Sequence, residues 1–183
     1  AQGLVLLDSP VFTGWRSHTV QVLKRSRLIQ RLGPGKVSAT RRHTWPTRQA
    51  AHDHFAAKPK FARWAPGVLA DYIACGTHRE PGNPGGQMVL RFTREVETRI
   101  YNTLPHHLGR VLQRHPPRCP VAFIAGTRST EIRQVGIQGA RRLAGDNLVW
   151  QEGSHLYPME HPQATAEAVL GLLARLQAAR AAR

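Results

Sequence analysis

The stretch Asp146-Asn-Leu-Val-Trp-Gln-Glu-Gly-Ser-His-Leu-Tyr-Pro-Met-Glu-His-Pro162 decides how the chain is read. Leu148 to Gln151 is an apolar run of strand length, Gly153 breaks it, His155 falls just past its end, and Pro162 opens a helix of apolar period. In an open α/β sheet the carboxyl ends of the strands form the rim where ligands and reactive groups gather. A histidine on that rim, with an ordinary pKa near neutrality, suits proton transfer.

Two other apolar runs belong beside the first. Leu4 to Leu7 is continuous, as parallel strands covered on both faces are, and Pro10 stops it. Asp8 then stands on the same rim as His155, either as turn chemistry at a strand end or as an acid partner for the histidine. Val121 to Ala125 is the third run, followed by Gly126-Thr-Arg-Ser-Thr-Glu131. The expected core is therefore an α/β arrangement of three parallel strands near 3–7, 121–125 and 147–151, flanked by helices. One helix is expected from Glu131 through Leu143. Another follows Pro162, with Ala166, Val169, Leu170, Leu173 and Leu176 as its apolar stripe.

These residues carry a family resemblance. Gly153-Ser-His-Leu-Tyr-Pro-Met-Glu-His-Pro162 resembles the region of the α/β-hydrolase fold that bears its catalytic histidine before the last helix. Gly3 to Pro10 resembles the strand after the nucleophile helix, and Cys119 to Gly126 resembles the next core strand. The resemblance extends along the whole chain but takes in only the carboxyl-terminal half of that domain. The fold's nucleophile elbow, Gly-x-Ser-x-Gly, occurs nowhere in the 183 residues. The chain is accordingly expected to be a fragment, with a serine nucleophile and the oxyanion-binding amides upstream of Ala1, and to be inactive alone.

The resemblance implies an esterase-like or lipase-like enzyme acting on small esters, with His155 as general base. The alternative within the same fold is an epoxide hydrolase or haloalkane dehalogenase, in which an aspartate is the nucleophile and the histidine activates water. Many members place their acid three residues after the glycine of the loop at 126, where this chain has Ser129. Asp8 is favoured as the acid because some members supply it from the end of the preceding strand. Glu131 is the alternative acid, although a carboxylate in the first turn of a helix also favours the helix dipole. Glu160 is a weaker candidate, read as a helix-start charge, and His161 as a residue at the start of the last helix. No cofactor and no metal are implied.

Between the first two strands, residues 15–118 read as short helices broken by Pro and Gly. Helices are expected from Ser17 to Leu32, from a Thr47 cap through Ala57, from Pro66 through Cys75, over Arg94 to Asn102 and over His106 to His115. Thr77 to Gly86 is expected as a surface loop and Gln87 to Phe92 as a brief extended piece. The resemblance makes this segment a helical cap, with residues 1–14 and 119–183 as the core. Trp15, Trp45 and Trp64 are expected to line the cap. His52, His54, His106 and His107 make no compact set at zinc spacing and read as solvated.

Net charge is +15, from 22 Arg and 4 Lys against 11 acids. Residues 15–118 hold 19 bases and 5 acids, so nearly all of the excess lies in the insert. Arginine over lysine, with abundant Ala, Gly and Pro, is the signature of a GC-rich genome. A basic nucleic-acid or anionic-surface module is the alternative function. The arginines are scattered and no nucleic-acid recognition motif occurs, so the expected partner is an ester-like small molecule rather than nucleic acid. Cys75 and Cys119 form no metal or redox motif and are expected to be buried thiols in a reduced compartment. No run is long enough to span a bilayer, and the default location is cytoplasmic. The first strand is expected to expose a pairing edge through which copies self-associate.

Overall fold

The computed structural model describes residues 2–13, 34–80, 82, 85–103, 105 and 107–181. Trp15, His106 and the helix expected over 17–32 lie outside those residues. In chain order the elements are β1 (Leu4–Leu7), α1 (Pro34–Thr40), β2 (Thr44–Trp45), α2 (Arg48–Ala56), α3 (Val68–Gly76), β3 (Thr77–Arg79), β4 (Met88–Leu90), α4 (Arg94–Asn102) and α5 (Leu108–Arg114). They continue with β5 (Val121–Gly126), α6 (Thr130–Val135), α7 (Gln138–Ala144), β6 (Leu148–Gln151), α8 (Tyr157–Glu160) and α9 (Pro162–Ala181). Two compact units divide them, one of residues 1–21 with 105–183 and one of residues 22–104.

In the first unit, β5 is the central strand of a parallel sheet ordered β1-β5-β6. All six of its residues are buried, and successive side chains face opposite layers. Ala122 and Ile124 pack with Tyr157, Leu172 and Leu176 from α8 and α9. Phe123 and Ala125 pack with Ile132, Ala140 and Ala144 from α6 and α7. A strand covered on both faces has no polar side, which is why Val-Ala-Phe-Ile-Ala is an unbroken apolar run. Each large side chain buried this way contributes about 1.5–3 kcal/mol.

Two expectations for this unit are corrected. The single helix over 131–143 is divided into α6 and α7 at Gly136, whose φ of 87° lies in the left-handed region. The buried stripe of α9 runs through Thr165, Leu172 and Leu176, with Ala168 and Val169 packed beside it. Ala166 is exposed and Leu170 is 66% exposed, because the helix turns a different face to the sheet than its apolar spacing suggested.

The second unit has its own core, in which Trp45, Ala51, Phe55, Phe61, Ile73, Met88 and Leu90 are buried and Trp64 and Tyr72 pack against them. Thr47 caps α2 by accepting from Ala50 N at 3.0 Å. β4 is the extended piece expected within Gln87 to Phe92, and β2, β4 and β3 together form a small antiparallel sheet that was not expected. Thr77–Arg79 belongs to that sheet rather than to a loop. Strands of two or three residues are too short for an alternating pattern to show in sequence. Cys75 is exposed rather than buried, two residues beyond the buried Ile73 and so on the other side of α3, and Cys119 is half-buried. Among the described residues no helix is long and apolar enough to cross a membrane.

The packing of α7 on the chain after β1 gives a test of sign. An alanine in a helix interior is normally more stable than glycine by roughly 0.5–1 kcal/mol. At Gly139, however, a Cβ would stand 2.4 Å from the Val11 carbonyl oxygen. Gly139→Ala is therefore expected to destabilise by about 1–3 kcal/mol, read as a lower urea midpoint, and a higher midpoint would show that residues 11–13 yield.

Candidate active site

Parallel strands end on one rim, and here three strand ends deliver a connected set of polar groups. Asp8 directly follows β1, and its amide extends the ladder by donating to Ile124 O at 2.8 Å. Its φ of 47° is the one positive value among the described non-glycine residues. Aspartate tolerates that region at a cost of on the order of 1 kcal/mol. The carboxylate is 1% exposed and has three donors around it. Oδ1 accepts from Gly126 N at 2.7 Å, and Oδ2 accepts from Ser129 Oγ at 2.5 Å and lies 2.7 Å from His155 Nδ1. A buried carboxylate without such partners would cost several kcal/mol.

The loop after β6 sets the histidine on this rim. Thr127 N donates to Gln151 O at 2.9 Å and Arg128 N donates to Gly153 O at 2.8 Å, so the ends of β5 and β6 run on together past the sheet. The His155 side chain is 38% exposed, against 1% for its aspartate partner. The hydrogen bond to Asp8 raises the His155 pKa above its ordinary value, burial opposes the rise, and the charges of Glu131 and Asp8 add to it. With Nδ1 committed to Asp8, Nε2 is the nitrogen left to exchange a proton. Below the pair, Tyr157 is fully buried and its hydroxyl donates to Ile124 O at 3.2 Å. Burial, then the Asp8 charge, hold that phenol well above its usual range.

Ser129 and Glu131 complete the set. Ser129 caps α6 by accepting from Ile132 N at 3.1 Å while it donates to Asp8. The Ser129 hydroxyl thus supports a carboxylate brought from another strand. Glu131 accepts from Thr130 Oγ1 at 2.9 Å, and its carboxylate lies 3.5 Å from Ser129 Oγ. One donor atom each from Asp8, Glu131 and His155 lie within 4.8 Å of one another. A tetrahedral zinc would hold two such ligands about 3.3 Å apart. The 2.7 Å contact between Nδ1 and Oδ2 is that of a charge-assisted hydrogen bond.

Sequence reasoning misread Glu160. Its side chain is 3% exposed and points back under the histidine loop rather than standing free at a helix start. His161 lies between α8 and α9, where its carbonyl accepts from Thr165 Oγ1 at 2.8 Å. His52 stands 3.6 Å from Asp53, and the half-buried His54 is tilted against Trp45 and edge-on to Phe55 beside the core of the second unit. Burial, then Lys58 and Arg42, lower the His54 pKa, and among the described residues neither histidine joins a metal-binding group.

No family model matches the chain, and no curated protein matches its sequence. Solved structures do match by shape. A hydrolase of E-2-(acetamidomethylene)succinate superposes with a TM-score of 0.66 at 15% identity, over 94% of this chain and 57% of the other. An esterase from Mycobacterium tuberculosis gives 0.60 at 18% identity, over 94% and 54%. The thioesterase domain of the curacin biosynthetic pathway gives 0.54 at 17% identity, over 94% and 57%. The chain has part of the α/β-hydrolase fold. It spans just over half the length of these α/β-hydrolase structures, and β1, β5 and β6 are the part of the sheet it supplies.

The His155–Asp8 pair has a pH signature. Because the folded pKa of His155 is raised, the stability it contributes is fully present below the ordinary imidazole value of about 6.5 and is lost as pH rises through the folded value. Asp8→Asn is expected to bring the His155 midpoint back toward or below its ordinary value, measured by NMR titration of the imidazole. It should also flatten the slope of unfolding free energy against pH in that window. A midpoint that stays raised would assign the shift to Glu131 instead.

Proposed function

We propose that the chain supplies the histidine and acid of a hydrolase that cleaves small carboxylic esters, with His155 as general base and then general acid and Asp8 as the acid that orients it. The observation that carries this reading is the 2.7 Å contact between a half-exposed imidazole and a fully buried carboxylate on the carboxyl rim of a parallel sheet. Asp8 holds Nδ1 protonated and stabilises the imidazolium, so Nε2 accepts the proton of an attacking hydroxyl and later donates it to the leaving alkoxide. The hydroxyl belongs to a serine in a segment preceding β1 in the parent chain, in keeping with the chain order of nucleophile, acid and histidine in this fold. Esters are favoured as substrates because matched structures include an esterase and a thioesterase domain. To residues 15–118 we assign the part of a cap that excludes water and sets substrate choice.

The test is hydrolysis of p-nitrophenyl acetate and butyrate by the chain joined to the sequence that precedes Ala1. His155→Ala is expected to lower kcat by roughly 10³-fold or more, and Asp8→Asn by a comparable factor at neutral pH. The base acts when neutral, so the rate should rise with pH through a midpoint above the ordinary imidazole value. Unchanged turnover in His155→Ala would remove the proposal.

The sheet edge supports a second expectation. β1 pairs with β5 alone among the described strands, and Leu4 is 43% exposed. An unpaired apolar edge templates strand addition, so the 183 residues alone are expected to self-associate with rising concentration in sedimentation velocity. A single monomer boundary at all concentrations would contradict this.

A further inference from the structure

We infer that Glu160 is a positioning residue for His155, acting as a buried carboxylate clamp on the two residues that flank it. The inference rests on the assignment of His155 as the group that transfers protons. Ser154 N donates to Glu160 Oε2 at 2.8 Å and Ser154 Oγ donates to Glu160 Oε1 at 2.6 Å, so both carboxylate oxygens grip one residue. The same Ser154 hydroxyl accepts from Leu156 N at 3.1 Å. His155 is thus held from both sides, directly through Ser154 and through one hydroxyl to Leu156. Arg128 Nη2 lies 3.8 Å from Glu160 Oε2, and Arg128 N is the donor to Gly153 O, so the same arginine joins the clamp to the end of β5.

Each neighbour is chosen for this contact. Gly153 has a φ of 129°, and a Cβ there would stand 2.5 Å from Tyr157 Cβ and 2.8 Å from Glu160 Oε2. A side chain at 153 would displace the carboxylate from beneath the loop. Tyr157, one turn before Glu160 on α8, is anchored to the central strand through Ile124 O. The spacing Gly153-Ser154-His155 followed by Glu160 therefore has a mechanical reading, in which α8 is a lever fixed to the sheet and Glu160 holds the loop to that lever. Charge-assisted bonds from a buried carboxylate are short and directional, and a proton-transfer group needs its reacting atom held to a fraction of an ångström. Glu160 acts on the reaction only through the direction in which the imidazole points.

The experiment is an NMR titration of the His155 imidazole in the 183-residue chain, read with Glu160→Gln, Ser154→Ala, Ser154→Thr and Asp8→Asn. The groups facing the imidazole are Asp8, Glu131 and, through the Asp8 side, Ser129 and Tyr157, and all remain in the first three variants. Glutamine offers one acceptor where two are needed, so Glu160→Gln is expected to lower the His155 midpoint by about one unit as its bond to Asp8 loosens. Ser154→Ala is expected to give a smaller fall, and Ser154→Thr, which keeps both donors, to restore the parent value. An unchanged midpoint in a folded Glu160→Gln, with Asp8→Asn lowering it, would overturn the clamp and leave the hydrolase reading standing. An unchanged midpoint in Asp8→Asn would assign the shift to Glu131 and overturn the proposed role of Asp8 as the orienting acid. Should Glu160→Gln fail to fold, the pair at 154 decides: equal midpoints in the alanine and threonine variants overturn the clamp, and a lower one in alanine alone supports it.

Discussion

One buried carboxylate constrains the rim of this sheet. Asp8 is almost wholly removed from water, and a charge in that position is tolerable only if every lone pair facing the protein meets a donor. The donors come from elsewhere in the chain: a backbone amide at the end of β5, a hydroxyl at the cap of α6, and an imidazole beyond β6. A parallel sheet is what brings them together, because its strands all finish on the same side. The left-handed backbone at Asp8 is the local cost of turning the side chain inward across that rim.

Ser129 and Glu131 become intelligible once Asp8 is in place. A second carboxylate at position 129 would stand against the first at hydrogen-bond distance, and like charges so close cannot both ionise. A hydroxyl fits there because it donates to Asp8 and still accepts from the first turn of α6. Glu131 stays half-buried at the margin, near enough for its charge to favour the protonated imidazole without displacing Asp8 from it. The loop after β5 thus supports, through Ser129, a carboxylate that stands at the end of β1.

The second unit obeys a different logic. Its core is an aromatic cluster, with Phe55 in ring contact with Trp45, Phe61 and Tyr72, and its polar links, such as Ser38 and Arg41 to Glu97, join α1 and the residue after it to α4. Apolar material this concentrated gives the unit a core of its own from short helices and very short strands. Most of the chain's positive charge lies in residues 15–118, the segment that contains this unit, and it is spread over many elements rather than gathered into one motif.

The parallel strands were legible in the sequence because Leu4 to Leu7 and Val121 to Ala125 are unbroken apolar runs of strand length bounded by turn residues, although only β5 is covered throughout and β1 is partly exposed. His155 was legible because a strand, a glycine break and a terminal helix surround it within a few residues. The face of α9 was not, since alanine and leucine recur around the helix and only the sheet decides which of them it covers. The strands β2 and β3 were hidden because two or three residues carry no period. Glu160 was misread for a deeper reason: five residues from His155, a glutamate could equally begin a helix in solvent or fold back beneath the loop, and the choice depends on Gly153 leaving room for it. Local pattern thus determined which residues form the sheet and place a histidine on its rim. The sequence favoured Asp8 over Glu131 by its place on the rim, but only the tertiary structure decided which of them meets that histidine, because hydrogen bonds between Asp8, Ser129 and His155 join residues more than a hundred positions apart, and no local pattern records such a distance.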